Sequence, residues 1–267
     1  MKDYTSTAHL ASHLAGVDAL IHLAARAHKD VTGTADNALF HAANVVTALD
    51  VARACISARV KRLVFVSSIG VNGSCSARPF LDCDTPAPTE PYAISKWNAE
   101  KALANLLAGS PTELVIIRPP LVYGPDCPGN FSKLIQFVAK SRWIPLGSLN
   151  APRSFIHVDN LSNALITAAR HPGLGGLTFL VADGRDLTVG EVVRTLAASL
   201  QVTKGKVINV PVSLLKVGAS LLGRKADFDK LAAPLQIDAS RFSTMTGWRP
   251  ATLPEEGLRN TAKGFKQ

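Results

Sequence analysis

Residues 61–68 are Lys-Arg-Leu-Val-Phe-Val-Ser-Ser, and residues 91–96 are Pro-Tyr-Ala-Ile-Ser-Lys. The first stretch is rich in β-branched and aromatic side chains and is too short to be a helix on its own, so it predicts a strand that ends at the pair of serines. The second stretch places Tyr92 and Lys96 four residues apart, and residues at this spacing share one face of a helix. Together they predict a strand end that lies close to a tyrosine and a lysine.

Tyr92, Lys96 and Ser68 are candidates for proton transfer. A phenol has a pKa of about 10, and a fixed cation within a few ångströms favours the phenolate, so we expect Lys96 to lower the pKa of Tyr92. Tyr92 would then act as a general base or acid, and the Ser68 hydroxyl would hydrogen-bond the same substrate oxygen. The alternative is an ordinary helix whose Tyr92 and Lys96 face solvent, because this spacing is common by chance.

The remaining sequence predicts strands that alternate with helices. The candidate strands are 18–25, 61–67, 113–118 and 177–182, and the candidate helices lie near 36–58, 92–108, 129–141, 159–171 and 188–200. Such alternation is typical of an α/β fold with a parallel sheet that is covered on both faces.

Several motifs follow one another along the chain. They are residues 22–25 (His-Leu-Ala-Ala), Asn44-Val45, Val66-Ser67-Ser68 followed by Gly73, Tyr92 with Lys96, residues 118–125 (Arg-Pro-Pro-Leu-Val-Tyr-Gly-Pro) and residues 153–161 (Arg-Ser-Phe-Ile-His-Val-Asp-Asn-Leu). In order and approximate spacing this set resembles the extended short-chain dehydrogenase/reductase family, and within it the NAD-dependent epimerase/dehydratase group of nucleotide-sugar epimerases, dehydratases and 4-ketoreductases. The resemblance implies a Rossmann-type doubly wound parallel sheet with a smaller C-terminal substrate domain.

The resemblance also implies a division of the chain. Residues 1–125, with 150–185 interleaved, are expected to form a partial NAD(P)-binding Rossmann domain, and residues 126–267 are expected mainly to bind the nucleotide-sugar. Such a fold normally opens with a strand, a glycine-rich turn and a helix whose N-terminus receives the pyrophosphate. The sequence has no GxxGxxG pattern before residue 70. We therefore expect an N-terminally truncated Rossmann domain that lacks its first βαβ unit.

Truncation has expected consequences for the strand at 18–25. It would present an unpaired apolar edge, and such an edge invites aggregation. We expect the 267-residue chain alone to be marginally folded and to bind dinucleotide poorly. An in-frame segment upstream of Met1 that encodes a strand and a GxxGxxG turn would make the short chain an artefact of start choice.

Individual roles follow from the resemblance. The catalytic set is Ser68, Tyr92 and Lys96, with Ser67 replacing Ser68 if the strand register shifts by one. Lys96 would also hydrogen-bond the nicotinamide ribose. Cofactor contacts are expected from Leu23, Ala24, Ala25, Asn44, Val66, Ser67, Tyr92, Lys96, Pro119 and Leu121. Substrate contacts are expected from Ser68, Asn130, Phe131 and Arg153.

Structural alternatives accompany several of these roles. Ala24 and Ala25 could serve strand-end packing, Asn44 could lie on a helix surface, and Arg153 could be an exposed arginine. The prolines after residue 118 could serve only as a rigid turn. His157 is expected to be structural, since a lone histidine is usually satisfied locally.

The resemblance implies an NAD(P)-dependent epimerase or oxidoreductase that acts at C4 of a UDP-hexose or UDP-N-acetyl-hexosamine in surface polysaccharide synthesis. NAD is the expected cofactor, and NADP stays open because the residue that would read the adenosine ribose is not identified. One alternative is a UDP-4-keto-6-deoxy-sugar 4-ketoreductase, and another is an inactive truncated binding module. Leu121 stands where UDP-glucose/galactose 4-epimerases usually carry Asn. Ile69 stands where a dehydratase would carry an acidic residue.

Composition and charge exclude several classes of binding partner. The net charge is +9, but the Lys and Arg residues are scattered without interleaved aromatics, so we expect no nucleic-acid partner; a positive field also attracts a diphosphate. Four cysteines with no CxxC pair give no support for a metal. No uninterrupted apolar run reaches the ~18 residues that span a bilayer, so we expect no membrane partner and a cytoplasmic location. A homodimer through helices 36–58 and 92–108 is expected from the resemblance.

Overall fold

The computed structural model describes residues 7–27, 34–201 and 206–265. Its centre is a sheet of four strands in which all neighbours are parallel, and the strands are ordered across the sheet as they are named in the next sentence. The strands are β1 (Ala19–His22), β2 (Arg62–Val66), β3 (Glu113–Arg118) and β8 (Thr178–Leu180). Each strand lies inside the range that the sequence predicts, so the parallel α/β fold is confirmed.

β1 lies at one edge of this sheet. Its register with β2 runs from Ala19 opposite Arg62 to His22 opposite Phe65, and within the described ranges it pairs with no other strand. Leu20 and Ile21 are half-buried. The apolar edge expected for the strand at 18–25 is therefore present in the described part of the chain.

Helices lie on both faces of the sheet and in the C-terminal half of the described chain. They are α1 (Thr7–His13), α2 (Thr34–Phe40), a π-helical segment (His41–Val46), α3 (Thr47–Ser57), α4 (Pro91–Leu107), α5 (Asn130–Lys140), α6 (Val158–Arg170), α7 (Val189–Ser199), α8 (Val212–Leu221), α9 (Lys225–Ala232), α10 (Ser240–Thr246) and α11 (Pro254–Gly264). The predicted helices correspond to α2–α3 as one continuous helix, α4, α5, α6 and α7. α1 and α8 to α11 lie outside the predicted helices.

Short strands complete the described structure. They are β4 (Leu121–Tyr123), β5 (Trp143–Ile144), β6 (Pro152–Arg153), β7 (Phe155–His157), β9 (Leu187–Thr188) and β10 (Lys206–Val207). β4 pairs parallel with β7, and β6 pairs antiparallel with β9. The first pair brings residues 121–123, which follow β3, next to residues 155–157, and the second brings residues 152–153 next to residues 187–188.

The two faces of the sheet bury separate cores, because side chains alternate along each strand. Leu63 and Phe65 of β2 pack with α1, α3 and α4, whereas Val64 packs with α6 on the opposite face. A third core lies in the C-terminal half and joins α5, α7 and α11 around Tyr123. The sheet is thus covered on both faces, and a separate packed layer stands beyond its carboxyl end.

One helix departs from the expected absence of a membrane-length segment. Residues Asn37–Ser57 form a helix of 21 residues that is long and apolar enough to cross a membrane by length and composition, with mean hydropathy 1.3. The sequence predicts a helix near 36–58 but not its membrane-compatible length, because Asn44 and Asp50 interrupt the apolar run. Ala52 and Cys55 of this helix are fully buried in the core beside α4, whereas Leu39 and Val46 are 47% and 41% exposed, so only one face of the helix serves packing.

Candidate active site

A cavity of about 660 Å³ opens at the carboxyl ends of β2 and β3. Val66, Ser67, Ser68 and Pro119 follow these strands and form one wall, and Tyr92 enters from the start of α4. Asn130, Phe131, Arg153, Lys230 and Leu235 form the facing wall. Ligands of open α/β sheets bind outside the carboxyl ends of the strands, and this cavity lies there.

The two serines after β2 have different partners. Ser67 is buried, and its hydroxyl donates to the carboxylate of Glu100. Ser68 is half-buried, and its Oγ accepts a hydrogen bond from Gly70 N at 3.1 Å. No acceptor for the Ser68 proton lies among the described residues, so this hydroxyl can donate into the cavity. Ser68 is therefore better placed than Ser67 to contact a substrate.

Glu100 and Arg118 form a buried ion pair beneath the serines. Arg118 donates to Glu100 through Nε at 2.9 Å and through Nη2 at 2.5 Å, and through Nη1 to Asn72 Oδ1 at 2.9 Å. Every strong donor of this network has a partner, as a buried charge requires. Glu100 was not a predicted site residue, although its position four residues after Lys96 places both on one face of α4.

Tyr92 and Lys96 lie one turn apart on α4, which begins with Pro91 at its first position. The Lys96 side chain is buried, and its Nζ lies 4.1 Å from the centroid of the Phe65 ring. Burial lowers the pKa of Lys96 to about 8, and the nearby Glu100 carboxylate opposes this shift. Lys96 is thus a partly desolvated cation beneath the cavity.

Tyr92 titrates in the direction opposite to the expected one. Burial raises the pKa of Tyr92, and no cation among the described residues offsets this. The expectation that Lys96 lowers the pKa of Tyr92 is therefore wrong in this structure. The physical reason is that Lys96 is itself desolvated and lies over the Phe65 ring.

Asn44 is buried in the π-helical segment. Its Oδ1 accepts from Arg26 N at 2.7 Å, and its Nδ2 donates to Arg26 O at 3.1 Å and to Ser95 Oγ at 2.9 Å. Ser95 in turn donates to Tyr92 O at 2.7 Å. The alternative of a helix-surface Asn44 is therefore wrong. Asn44 ties the segment after β1 to the helix that carries Tyr92, a use typical of π-helical turns.

The segment after β1 contributes less to the cavity than expected. Leu23, Ala24 and Ala25 are exposed, with Leu23 at 63%, and they lie outside the cavity wall, whereas Ala27 lines it. His22 precedes them and was not a predicted site residue. Its ring stacks on Phe65 at 5.8 Å between centroids, and its Nε2 is buried without a hydrogen-bond partner. Burial, reinforced by Lys96, lowers its pKa to about 4.

The remaining predicted residues lie in the cavity wall in different states. Pro119 is buried, and Leu121 is partly exposed. Asn130 is exposed at the first position of α5, while Phe131 is buried against Tyr123 with ring centroids 5.5 Å apart. Phe131 therefore belongs to the C-terminal core as well as to the cavity wall.

Arg153 and Lys230 are linked across the facing wall. Arg153 Nη1 donates to Lys230 O at 2.7 Å and to Ala233 O at 2.5 Å, so this arginine holds the end of α9. The alternative of a simply exposed Arg153 is wrong. Lys230 Nζ lies 2.5 Å from Glu90 Oε1, and both residues line the cavity. Nothing in the sequence signalled this pair, because its members are far apart along the chain.

His157 lies outside the cavity wall. It is buried at the N-terminus of α6, where its ring Nδ1 accepts from Asp159 N at 3.4 Å. Its backbone N donates to Asp183 Oδ1 at 2.9 Å, and the same carboxylate accepts from Tyr123 OH at 2.7 Å. These contacts support a structural role, but the ring is satisfied locally only at Nδ1, because Nε2 is buried without a hydrogen-bond partner among the described residues.

A family comparison matches residues 1–182 to the family described as NAD dependent epimerase/dehydratase. The chain belongs to this family. Its similarity to the UDP-glucose 4-epimerase of Vibrio cholerae is 36% identity over 252 residues, which covers 93% of this chain and 76% of that protein. The resemblance inferred from the motifs is thus confirmed, and the chain is an enzyme of the NAD-dependent epimerase type.

One further relative and one solved structure extend the comparison. The N-acetyl-alpha-D-glucosaminyl-diphospho-ditrans,octacis-undecaprenol 4-epimerase of Escherichia coli O157:H7 is 28% identical over 265 residues, covering 93% of this chain and 77% of that protein. The crystal structure of UDP-glucuronic acid 4-epimerase from Bacillus cereus in complex with NAD matches with a TM-score of 0.76 at 18% identity, covering 96% of this chain and 76% of that chain. The structural match supports the Rossmann-type fold, and the relatives support a function of the nucleotide-sugar 4-epimerase type.

Proposed function

We propose that the protein is an NAD-dependent 4-epimerase that acts on a UDP-hexose or UDP-N-acetyl-hexosamine. The observation that carries this proposal is the meeting of Ser68 and Tyr92 in one cavity, with the buried Lys96 one turn after Tyr92. The V. cholerae and E. coli relatives are both named as 4-epimerases of sugars carried on a diphosphate. That shared chemistry favours epimerisation over a purely reductive reaction.

The residues present fit a nicotinamide nucleotide at the sheet end. Lys96 is a buried cation and His22 Nε2 is a buried polar atom without a partner, and buried polar groups generally have partners in a complete site. Lys96 would hold the nicotinamide ribose, and the small side chains of Ala24 and Ala25 would allow close backbone approach. When bound, NAD supplies the hydride acceptor and donor for C4 of the sugar.

Tyr92 and Ser68 would handle the proton. During oxidation the phenolate of Tyr92 takes the proton of the C4 hydroxyl, and it returns that proton after the keto-sugar presents its other face. Ser68 donates its free hydroxyl to the C4 oxygen and fixes the distance for transfer. Because burial raises the pKa of Tyr92, the phenol is its resting form, and it must lose its proton before it can accept one from the C4 hydroxyl.

The facing wall would bind the nucleotide. Lys230 supplies an ammonium, and Asn130 supplies an amide at the start of α5. Arg153 would add permanent positive charge near a diphosphate while its guanidinium holds α9. Under this proposal residues 1–125, with 150–185, bind the cofactor and residues 126–267 mainly bind the sugar nucleotide.

The wider setting is part of the same proposal. We place the enzyme in the cytoplasm, in surface polysaccharide synthesis, as a homodimer that pairs through the helices at 36–58 and 92–108. Chemical cross-linking and sedimentation would test the pairing, and a monomer at all concentrations would refute it.

The reaction can be tested with purified protein that includes any in-frame segment encoded upstream of Met1, since the 267-residue chain alone is expected to bind dinucleotide poorly. UDP-N-acetylglucosamine or UDP-glucose is incubated with catalytic NAD, and the epimeric product is followed by proton NMR. We expect turnover without stoichiometric reductant. The variant Tyr92→Phe should lose turnover. The separate variant Ile94→Ala, on the exposed side of α4, is the matched control and should keep it. Consumption of NADPH with a UDP-4-keto-6-deoxy sugar would instead indicate a ketoreductase. Absence of both reactions would indicate a binding module.

A further inference from the structure

The helical hairpin α8–α9 carries an exposed apolar surface. Leu214, Val217 and Leu221 are spaced three and four residues apart, so they lie on one face of α8. Their exposed fractions are 61%, 57% and 84%, and the adjoining Leu222 is 78% exposed. We call these four residues the α8 patch. Large exposed apolar patches mark interaction sites rather than ordinary surface.

The other side of α8 accounts for its place in the fold. Leu215 packs against the C-terminal core, together with Phe228 and Leu231 of α9. The hairpin is therefore held by one face, and the α8 patch is not required to fill that core. Packing within the chain therefore does not explain why the α8 patch is apolar.

The charges around the α8 patch favour an anionic partner. Lys216 and Lys225 share the carboxylate of Asp229 at 3.6 and 2.7 Å, and Arg224 pairs with Asp227 at 3.4 Å. Three cations thus face two carboxylates in this region, and the whole chain carries a net charge of +9. A helix with an apolar face and basic neighbours is the usual element for binding an anionic lipid surface.

The hairpin is also joined to the cavity. Lys230 lies on α9 and lines the cavity, and Arg153 donates to the carbonyl oxygens of Lys230 and Ala233 at the end of α9. A surface that receives α8 would therefore lie near the cavity mouth.

We propose that the α8–α9 hairpin binds the surface of an anionic lipid bilayer, with the α8 patch inserted at the headgroup level. The ten residues of α8 are too few to span a bilayer, so the binding is peripheral. This inference departs from the expected absence of a membrane partner. It does not depend on which sugar the enzyme converts. A second copy of the chain is the competing occupant of the patch.

Vesicle flotation tests the proposal with the full chain. Protein is mixed with phosphatidylcholine vesicles that contain or lack phosphatidylglycerol. We expect the wild type to float with the anionic vesicles, and the variant Val217→Glu/Leu221→Glu to lose at least tenfold in partitioning. Ile166→Glu on α6 and Leu253→Glu before α11 place the same charge at exposed apolar positions elsewhere, and both should float like the wild type.

The contrary results are equally specific. Wild-type protein that stays with the soluble fraction would overturn the proposal, as would equal loss of flotation in the control variants. Light scattering after size exclusion identifies the competing occupant: a dimer that Val217→Glu/Leu221→Glu converts to monomer, with flotation unchanged, would assign the patch to a second copy. Far-ultraviolet circular dichroism confirms that each variant is folded.

Discussion

Arg118 donates two hydrogen bonds to the carboxylate of Glu100, from Nε at 2.9 Å and from Nη2 at 2.5 Å. The side chains of Arg118 and Glu100 are only 4% and 2% exposed. The same carboxylate accepts from the Ser67 hydroxyl. Because Arg118 ends β3 and Glu100 lies on α4, the pair fixes the sheet end against the helix that carries Tyr92 and Lys96. Its expected effect is on the geometry of the cavity as well as on stability.

Glu100→Gln should therefore be strongly destabilising. It leaves the Arg118 guanidinium buried without a counter-charge, and loss of one partner of a buried pair costs about 3–5 kcal/mol. Urea unfolding measures the change. Asp50→Asn is the matched control, since Asp50 also pairs with an arginine, Arg53, but the two side chains are 41% and 49% exposed. We expect the control to cost about 1 kcal/mol or less. Equal losses in the two variants would contradict the account of the Glu100 pair.

The two serines after β2 should separate into a structural and a catalytic residue. Ser67→Ala removes a donor to Glu100 and should lower the free energy of unfolding by about 1–3 kcal/mol. Ser68→Ala removes the acceptor of Gly70 N and should lower the free energy of unfolding by only about 1 kcal/mol, while it lowers kcat by roughly 10²-fold because the hydroxyl that faces the substrate oxygen is lost. Steady-state kinetics and urea unfolding on both variants provide the measurement. The reverse pattern would restore Ser67 as the catalytic serine.

The burial of His22 predicts that the fold loses stability in acid. Its folded-state pKa is about 4, below the ordinary value of 6.5, because burial disfavours the imidazolium and Lys96 repels it. The unfolded chain therefore binds more protons between these pH values. Stability should be full above about pH 6.5 and be lost as the pH falls toward 4, by up to about 3 kcal/mol. His22→Phe should flatten the dependence in this window, and His13→Phe on the exposed side of α1 should not. Urea unfolding at pH 7, 6 and 5 measures the free energy of unfolding of each variant. Parallel pH dependences for the wild type and His22→Phe would refute the assignment of this acid sensitivity to His22.

Local sequence was sufficient for the central sheet and its covering helices. β2 and β3 are short, apolar and buried on both faces, so their composition alone predicts strands. The spacing of Tyr92 and Lys96 predicted a shared helix face, and α4 provides it. The titration of Tyr92 could not be predicted in the same way, because burial depends on Phe40 and other distant residues that surround the ring.

The facing wall depended on contacts between distant segments. α9 has no buried residue and reads as an ordinary polar stretch, yet it places Lys230 in the cavity because Arg153 binds the carbonyl oxygens at its end. α8 is so uniformly apolar that periodicity could not distinguish it from a buried segment. Such elements are specified by tertiary packing, which a single sequence does not reveal.

Substitutions of Lys230 and Glu90 should change the affinity for UDP in opposite directions. Nζ of Lys230 lies 2.5 Å from Glu90 Oε1 at the cavity wall, so the ammonium is partly neutralised before a diphosphate arrives. Glu90→Gln removes the competing carboxylate and should tighten UDP binding several-fold. Lys230→Gln removes the cation and should weaken UDP binding by about fivefold, since an exposed charge contact contributes about 1 kcal/mol. Lys225→Gln is the control, because that lysine lies on the same helix outside the cavity and pairs with Asp229.

Isothermal titration with UDP at two salt concentrations measures these affinities. The difference between Glu90→Gln and Lys230→Gln should shrink at high salt, because screening weakens exposed charge interactions. Weaker binding in both variants would mean that the pair holds the cavity open as a structural link between α4 and α9. In that case the diphosphate would have to be bound by Arg153 or by the N-terminus of α5, and Arg153→Gln would then give the larger loss of affinity.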